Sequence, residues 1–259
     1  MPVERSPQPP AATSREAIVA AAMKLADEEG LEAVSMRRLA EQLGVATMTL
    51  YTYVESKDEL IELMRDEVAR ATLVPEPLPS DWREALRQIA HRTRDAMAAH
   101  PWAVSARSSG VRVRINLARH MEQSARVVEA IGADPKIGVA AICAVDDYVI
   151  GHCLRLRSRQ RVLRARRAAV AAGEEPGPAI EPDVEAAIES GELTRVGRIF
   201  AARAESGRLA VAPESDFEQG LEWLLHGLEL AVRQGVYEWM LGGVEALGEE
   251  PLVERDEPR

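Results

Sequence analysis

The sequence predicts an all-α protein, with a small three-helix domain at the N-terminus and a larger helical domain after it. Three observations favour this class. Apolar residues recur at spacings of three and four along most of the chain, which is the pattern of one face of an amphipathic helix. Aromatic residues, which are common in strands, make up only 4% of the 259 residues. No segment shows the sustained polar–apolar alternation of a half-buried strand.

Serines and glycines mark the ends of the first helices. A serine hydroxyl can accept a hydrogen bond from the first helical turn, and a glycine adopts the left-handed conformation that often ends a helix. The predicted helices therefore run from Ser14 to Gly30, from Ser35 to Gly44, over residues 46–53, and from Ser56 to a point before Pro75.

The same periodicity predicts further helices in the rest of the chain. They cover residues 81–99, 111–131, 136–170, 183–190, 192–205 and 216–241, and Pro101 is placed to start a short one. The proline-rich residues 1–13 are expected to form a disordered tail, and residues 242–259 a flexible one. We therefore predict a helix-turn-helix domain over residues 14–57 and a larger domain over residues 58–241.

The net charge of −10, from 32 basic and 42 acidic residues, taken alone argues against a nucleic-acid-binding protein. The acidic excess is concentrated near the C-terminus, because residues 211–259 carry 12 acidic and 3 basic residues. The segment from Ser35 to Lys57 instead holds three basic and two acidic residues. The charge balance therefore does not exclude a DNA contact in the N-terminal domain.

The composition also indicates the environment of the protein. Cys143 and Cys153 are too few for a disulfide framework or a four-cysteine zinc site. No apolar run approaches the roughly 18 residues of a membrane span, and the N-terminus lacks the apolar core of a signal peptide. We expect a cytoplasmic protein that contacts no membrane and carries no cofactor.

Two short helices joined by a glycine turn have the architecture of a helix-turn-helix, whose second helix enters the DNA major groove. The turn is Gly44-Val45, and the residues expected to fix the angle between the helices are Leu39, Ala40, Leu43, Val45 and Leu50. Outward-facing residues suited to base edges are Thr47, Met48, Thr49 and Thr52. Arg37 can reach a guanine edge or a phosphate. Donors suited to phosphate oxygens are Ser35, Tyr51, Tyr53 and Lys57.

Residues 36–60 resemble the DNA-binding domain of TetR-family transcriptional repressors. The family element LY-x-[HY]-[FV]-x-x-K-x-x-L is present as Leu50, Tyr51, Tyr53, Val54, Lys57 and Leu60. Position 54 is valine where phenylalanine is usual, and in this the sequence resembles the branch of the family around the tetracycline repressor. A looser resemblance to the ligand-domain helices of that branch covers residues 81–102 and 139–154, and residues 217–230 resemble its final dimerisation helix.

The resemblance implies a homodimer with two reading helices, ligand pockets in the larger domain and release of DNA when a ligand binds. It assigns base contacts to Arg37, Thr47, Met48, Thr49 and Thr52, and backbone contacts to Ser35, Tyr51, Tyr53 and Lys57. We therefore expect a ligand-responsive, DNA-binding transcriptional regulator: a repressor that a small-molecule inducer releases from a palindromic double-stranded operator. The alternative is a small-molecule-binding or interaction protein of the same fold without operator binding.

Two features depart from the family pattern. Ala46 stands where many members carry a serine that caps the reading helix, and loss of that cap costs about 0.5–2 kcal/mol unless Thr47 replaces it. The tetracycline repressor holds drug and magnesium with histidines and other polar groups. Here residues 103–110 contain no histidine, and the linker helix ends in Leu73-Val74. The sequence therefore argues against tetracycline–magnesium as the inducer.

The larger domain offers candidates for a ligand pocket and for a dimer interface. Polar pocket candidates are His91, Arg94, Arg107, Asn116, Asp147 and His152, with Trp102 as an apolar wall. An apolar stripe in the last strong helix consists of Leu221, Leu224, Leu225, Leu228 and Val232. This stripe is either plain core or half of a four-helix dimer interface. We favour the interface, because a symmetric operator needs a two-fold dimer.

A metal site or an active site is a weaker interpretation of the larger domain. A metal could pair His152 with Asp146, Asp147 or Cys143. However, Asp147 and His152 are five residues apart, and ligands on one helical face are three or four apart. We also find no paired carboxylates, no nucleophile with its base and no phosphate loop at a usable spacing. We predict no catalytic residue, no metal ligand and no enzyme.

An arginine-rich segment is followed directly by an acidic one. The arginines are Arg155, Arg157, Arg159, Arg161, Arg164, Arg166 and Arg167, and residues 173–192 hold seven acids and no base. An arginine cluster on its own would be compatible with a second nucleic-acid patch. The matched acidic run favours mutual neutralisation of the two segments, within a subunit or between subunits.

Overall fold

The computed structural model describes residues 13–104, 112–132, 135–174, 180–205 and 214–234. Within these ranges every regular element is helical, which confirms the all-α prediction. The helices are α1 (Arg15–Glu29), α2 (Met36–Leu43), α3 (Thr47–Tyr51), α4 (Lys57–Thr72), α5 (Trp82–Ala99), α6 (Ile115–Ala130), α7 (Pro135–Ala171), α8 (Pro182–Glu189), α9 (Thr194–Glu205) and α10 (Glu214–Gln234). A 3₁₀ turn, Leu31–Ala33, lies between α1 and α2. Among these helices none has both the length and the apolar character needed to cross a membrane.

Side-chain caps begin the helices of the N-terminal domain. The Oγ atom of each predicted serine cap accepts a hydrogen bond from the backbone N–H three residues further on, at 3.0–3.3 Å. These confirmed caps are Ser14, Ser35 and Ser56. Asp81 caps α5 in the same way, with its carboxylate accepting from two backbone N–H groups. Each cap satisfies a donor that has no partner inside its own helix.

Gly44 ends α2 in the left-handed conformation, with φ 68° and ψ 31°. An added Cβ would meet no atom within 4 Å, so a substitution here costs only the backbone conformation. We expect Gly44→Ala to lower the free energy of unfolding by about 1–2 kcal/mol, measured by urea denaturation. Gly44→Asn is the control and should cost less, since asparagine adopts this conformation more readily. Equal stability of the alanine variant and the wild type would contradict the prediction.

The first apolar core joins α1, α2, α3 and α4. The predicted helix-turn-helix core is confirmed within it, since Leu39, Ala40 and Leu50 are buried there and Leu43 and Val45 pack against it. Buried residues that α4 adds to this core are Leu60, Met64 and Val68. They lie beyond residue 57, the predicted domain boundary, so α4 completes the core of the N-terminal domain.

The second apolar core is built mainly by α5, α7 and α10 around Phe217, which is fully buried. Polar pairs run along the outside of the contact between α5 and α10. They are Arg83 with Glu229, Arg87 with Glu222 and His91 with Glu218. Since their α5 members are spaced at four residues, they form a ladder on one face of that helix.

Helix α4 connects the two cores. Its residue Asp66 accepts hydrogen bonds from the backbone N–H groups of Asn116 and Leu117, at 3.0 and 3.3 Å, and from the side-chain amide of Asn116 at 2.9 Å. A carboxylate from one helix thus caps the start of α6, because the preceding residue, Arg114, provides no side-chain cap. The Asp66 hydrogen bonds therefore hold the start of α6 against α4.

Several predicted boundaries differ from those observed. The reading helix is shorter than predicted, because α3 ends at Tyr51 and not at Tyr53. Residues 101–104 form turns where a short helix was predicted, and α6 begins at Ile115 and not at residue 111. The tail predicted over residues 242–259, and residues 1–12 of the other, lie outside the described ranges.

Helix α10 buries part of the predicted dimer-interface stripe inside the protomer. Leu221 and Leu225 are fully buried inside the protomer, so they have no surface for a partner. Leu224, Leu228 and Val232 are partly buried, and the first two pack against the same core. The exposed apolar side chains of α10 are Trp223 and Leu230, at 70% and 41% exposure.

Candidate DNA-reading head and ligand cavities

The reading head, defined as α2, the Gly44-Val45 turn and α3, places one side of α3 in the core and the other in solvent. Leu50 is fully buried, whereas Met48 is 73% and Tyr51 43% exposed. Among the other predicted DNA contacts, Arg37, Thr52 and Lys57 are exposed, and Ser35, Thr47, Thr49 and Tyr53 are half-buried. The exposed side of this short helix is therefore free to meet a major groove.

Two of the predicted contact residues also bond within the head. The hydroxyl of Thr52 donates to the carbonyl oxygen of Thr49 at 2.7 Å, so toward DNA it offers only acceptor lone pairs. The hydroxyl of Ser35 accepts the capping bond of α2 and keeps its own proton for a phosphate oxygen. Arg37 is 81% exposed and lies 3.8 Å from Glu41, a loose pair that a DNA phosphate can replace.

The start of the reading helix has no side-chain cap. Ala46 occupies the cap position, and Thr47 is the first helical residue and does not supply the missing bond. Only the backbone carbonyl of Ala46 takes part, by accepting from the N–H of Thr49 at 2.9 Å. The departure seen in the sequence is therefore real, and the position of α3 depends on Leu50 and on the neighbouring helices.

Ion pairs that the sequence did not suggest hold the reading head in place. Arg38 makes a two-pronged contact with Glu29 of α1, at 2.6 and 3.0 Å, which lowers the pKa of Glu29. Arg15 donates to the carbonyl oxygen of Tyr53 at 2.9 Å and pairs with Glu59 of α4 at 3.1 Å. The end of α3 is thereby fixed to both α1 and α4.

The first cavity, of about 490 Å³, lies between α4, α5, α6 and α7. Its polar lining is Glu62, Arg65, Asp66, Thr72, Thr93, Arg112, Arg114, His120 and Asp146. Its apolar lining is Val68, Ala69, Met97, Ala103, Val104, Leu117 and Ile150. A cavity of this size between helices, with apolar walls and convergent polar groups, is typical of a small-molecule site.

Two buried polar atoms of the first cavity have no hydrogen-bond partner among the residues that the structure describes: the hydroxyl oxygen of Thr93 and Nε of Arg114. The head of the Arg114 side chain is held at 3.2 Å by Glu62, so Nε keeps its direction. An unsatisfied buried polar atom costs about 1–3 kcal/mol, and both atoms belong to residues that line the first cavity.

His120 is the centre of a polar array on the same cavity wall. Thr72 donates its hydroxyl proton to the carbonyl oxygen of Ala69 at 2.8 Å, and its oxygen also lies 2.8 Å from Nδ1 of His120. Nε2 of His120 lies 3.7 Å from Asp146. The ring is thus oriented from both sides, and its pairing partner Asp146 faces the cavity.

The second cavity, of about 330 Å³, adjoins the first and shares Met97 and Val104 with it. Charged or polar residues in its lining are Arg94, His152, Arg157 and Gln160. Arg94 lies 4.8 Å from the ring centre of Phe217, a cation–π contact, and Arg157 donates to the carbonyl oxygen of Pro101 at 2.7 Å. Arg94 also pairs with Asp95 at 2.9 Å, so a carboxylate outside the lining balances its charge.

The predicted pocket residues are distributed over several places. Arg94 and His152 line the second cavity, and Asn116 is buried beside the first, bound to Asp66. His91 pairs with Glu218 at 3.1 Å, and Asp147 is exposed. Trp102 is buried in the first apolar core and is not part of the lining of either the first or the second cavity. Arg107 lies outside the described residues. In the described ranges, no group of three potential metal ligands comes together.

Burial lowers the pKa of His152, and the nearby Arg155 and Arg94 lower it further. The folded chain therefore keeps His152 neutral at a pH where the unfolded chain, with an ordinary pKa of about 6.5, binds a proton. Stability should fall as the pH drops below about 6.5. We expect the wild type to lose more stability than His152→Gln between about pH 7.5 and 5.5, measured by urea unfolding. Equal losses would show that His152 does not contribute.

The arginine-rich half of α7 is largely exposed, including Arg155, Arg161, Arg164 and Arg167. Residues 175–179, which belong to the acidic segment, lie outside the described ranges. The pairing of the two segments therefore stays a prediction.

A helix-turn-helix head joined to a helical body with internal cavities defines a DNA-binding regulator that senses small molecules. The family model "Bacterial regulatory proteins, tetR family" matches residues 18–64, and "Tetracyclin repressor-like, C-terminal domain" matches residues 74–232. The chain belongs to the TetR family, which confirms the resemblance found in the sequence. It is a ligand-responsive transcriptional repressor.

Relatives and solved structures agree with this assignment. The HTH-type transcriptional repressor DrrR1 of Streptomyces coeruleorubidus is 35% identical over 233 residues, covering 89% of this chain and 82% of its own. The class D tetracycline repressor protein of Escherichia coli is 28% identical over 158 residues, covering 60% and 72%. ActR of Streptomyces coelicolor, in complex with actinorhodin, matches with TM-score 0.65 and 27% identity over 85% of this chain and 97% of its own.

Proposed function

We propose that this chain is a homodimeric repressor that reads a palindromic operator with α3 of each protomer. A small molecule in the first cavity releases it from DNA. The protein acts by binding alone, without a chemical step. The observation that carries the proposal is the pair of unsatisfied polar atoms, on Thr93 and Arg114, in a cavity that α4 borders. Since α4 also completes the core of the reading head, the cavity and the head share one helix.

The exposed residues of the reading head support DNA recognition. Met48 and Tyr51 project from α3, and Arg37 and Lys57 lie exposed on either side of it. Methyl and thioether groups suit a thymine methyl, and the two cations suit phosphate oxygens. Specificity then depends on a few contacts, because the head carries little net positive charge.

The lining of the first cavity indicates the chemical class of the ligand. Three acidic side chains face three arginines and His120, so the wall is balanced in charge and favours a ligand without a large net charge. The atoms without partners are a hydroxyl oxygen and an N–H donor, which together suit hydroxyl or carbonyl oxygens. We infer an oxygenated, mainly apolar organic molecule, and the actinorhodin complex of ActR makes actinorhodin a suitable first probe.

Dimerisation is proposed through the exposed side of α10. Trp223 and Leu230 lie on this side. They are seven residues apart, or two helical turns, so both can face the same partner helix. Large exposed apolar residues on a helix mark an interaction surface, and a two-fold partner matches a palindromic operator.

Selection of duplex DNA from a random-sequence pool, using the purified full chain, tests operator binding. We expect enrichment of a two-fold symmetric sequence whose half-sites lie about one helical turn apart. A titration at fixed salt then gives the affinity for that sequence against scrambled DNA. If no sequence is enriched, the chain is a ligand-binding protein of this fold without operator binding.

The cavity is tested with the selected operator and actinorhodin as the probe. Thr93→Val removes the unpartnered hydroxyl while keeping the side-chain shape, and it should weaken release of the operator by about threefold to tenfold, the value of one hydrogen bond. Thr194→Val, on the exposed surface of α9, is the matched control. Release that is unaffected by Thr93→Val would place the ligand elsewhere.

A further inference from the structure

Residues 100–104, the turn after α5, touch both cavities and the N-terminal domain. Pro101 lines the second cavity, Ala103 lines the first, and Val104 lines both. Trp102, between them, points the other way: it is 3% exposed and is buried in the core formed by α1 to α4. Within four consecutive residues the turn therefore contacts both cavities and, through Trp102 and Ala103, the first apolar core.

Polar bonds fix the turn to α1. The indole Nε1 of Trp102 donates to the carboxylate of Asp27 at 2.7 Å. Nδ1 of His100 lies 2.9 and 3.1 Å from the two oxygens of the same carboxylate. The rings of His100 and Trp102 lie 5.9 Å apart, so both side chains converge on one residue of α1. The bond from the indole to the Asp27 carboxylate is charge-assisted, and such bonds are roughly twice as strong as those between neutral groups.

The opposite side of the turn is fixed to the ligand-binding body. Arg157 of α7, which lines the second cavity, donates to the carbonyl oxygen of Pro101 at 2.7 Å. The turn is thus a short, doubly anchored segment, with α7 on one side and α1 on the other. Because packed segments shift as units and do not deform continuously, displacement of one anchor is passed to the other.

We propose that the turn 100–104 couples the cavities to the reading head, with Trp102 as its positioning residue. A ligand that presses on Val104 and Ala103 moves the backbone of the turn. Trp102 transfers that movement to α1 through Asp27. Helix α1 is paired with α2 by Glu29 and Arg38, so its displacement changes the position of the reading head. The proposal rests on the proposed function, since it concerns how cavity occupancy alters operator affinity.

A cavity-filling variant tests the coupling without an identified ligand. Val104→Trp places an indole in the space that both cavities border. We expect it to weaken binding to the selected operator by about tenfold, within the ~5–150-fold range of allosteric coupling. In a Trp102→Phe background, which keeps a ring but removes the N–H donor, the same filling should change affinity by no more than about twofold, the margin of additivity.

Asp27→Asn is the matched control, because its amide oxygen still accepts from the indole N–H. In this background the response to Val104→Trp should remain about tenfold. If Val104→Trp weakens operator binding equally in the wild-type and the Trp102→Phe backgrounds, the coupling does not pass through Trp102 and the proposal is wrong. An unchanged affinity of Val104→Trp in the wild-type background also overturns it. Circular dichroism verifies folding, and Val104→Phe replaces the larger variant if that one does not fold.

Hydrogen exchange separates failure of this proposal from failure of the proposed function. If the wild type selects no DNA, the proposed function fails, yet the coupling can still be measured on the full chain without DNA. Val104→Trp should then speed amide exchange within α1, residues 15–29, when Trp102 is present and not when Phe replaces it. If Val104→Trp changes the amide exchange of α1 equally with Trp102 and with Phe at position 102, the proposed coupling is wrong.

Discussion

Replacing Arg37 and Tyr51 together by alanine is expected to weaken operator binding by about a hundredfold or more. Both side chains are exposed on the reading head, and a hydrogen bond to a charged group contributes about 1.5–3 kcal/mol. Two lost bonds therefore cost at least about 3 kcal/mol, or roughly two powers of ten in affinity. The measurement is a titration of the selected operator at several salt concentrations.

The salt series also identifies what Arg37 contacts. If its guanidinium neutralises a phosphate, the slope of log affinity against log salt should fall by about 0.9 in the Arg37→Ala variant. A guanine contact would instead relax the sequence preference at one position. Arg195→Ala, an exposed arginine of α9, is the control and should leave operator affinity unchanged. Wild-type affinity of the double variant would contradict the assigned reading head.

Phe217→Ala is expected to lower the free energy of unfolding by about 3–5 kcal/mol, the range for a large buried aromatic side chain. Phe217 is fully buried, and the rings of Tyr148, His91 and His152 lie 4.9–5.5 Å from its own. Its carbonyl oxygen also accepts a hydrogen bond from Tyr148 at 2.7 Å. Removing the ring therefore empties the centre of the second core, and urea unfolding measures the loss.

Trp223→Ala, on the same helix, is the comparison for Phe217→Ala. Trp223 is 70% exposed, so its removal should hardly change the packing inside a protomer. If α10 forms the dimer interface, Trp223→Ala should weaken dimerisation, seen by sedimentation over a range of protein concentrations. A Phe217→Ala chain as stable as the wild type would show that the second core does not depend on this ring. An unchanged dimer in Trp223→Ala would place the interface elsewhere.

The reading head was predictable because its signals are local. Ser35 and Gly44 act on the helix that they flank, and the alternation of buried and exposed positions between Leu39 and Leu50 follows from helical geometry alone. The family element from Leu50 to Leu60 lies within the same short stretch. None of these features needs a distant part of the chain to be interpreted.

The cavities were not predictable in the same way. The pattern of apolar residues shows which side of a helix is buried, but not which neighbour covers it or where the packing leaves a space. His120 and Asp146 come together from α6 and α7, and Thr93 and Arg114 from α5 and the start of α6. Two pocket candidates chosen from the sequence lie elsewhere: the polar candidate His91 pairs with Glu218, and Trp102, the expected apolar wall, is buried in the first core.

The last helix shows the limit of a periodic pattern. A stripe such as Leu221, Leu224 and Leu225 requires a covering surface, whether that surface belongs to the same protomer or to a partner. The structure covers Leu221 and Leu225 with α5 and α7, and leaves Trp223 exposed one position away from the stripe. The hydrophobic pattern of a helix does not show whether its apolar side packs against the same protomer or against a partner.

The sequence by itself determined the helical class, the helix-turn-helix head and the family, because caps, turns and periodicity act over a few residues. Only the tertiary structure decided where the ligand cavities lie, which α10 residues remain exposed, and how residues 100–104 reach Asp27 of α1. The bond between Trp102 and Asp27 joins residues 75 positions apart, and the cavity linings and the α10 contacts span longer separations. Their physical origin is the close packing of helices against one another, which fixes long-range neighbours that no local pattern specifies.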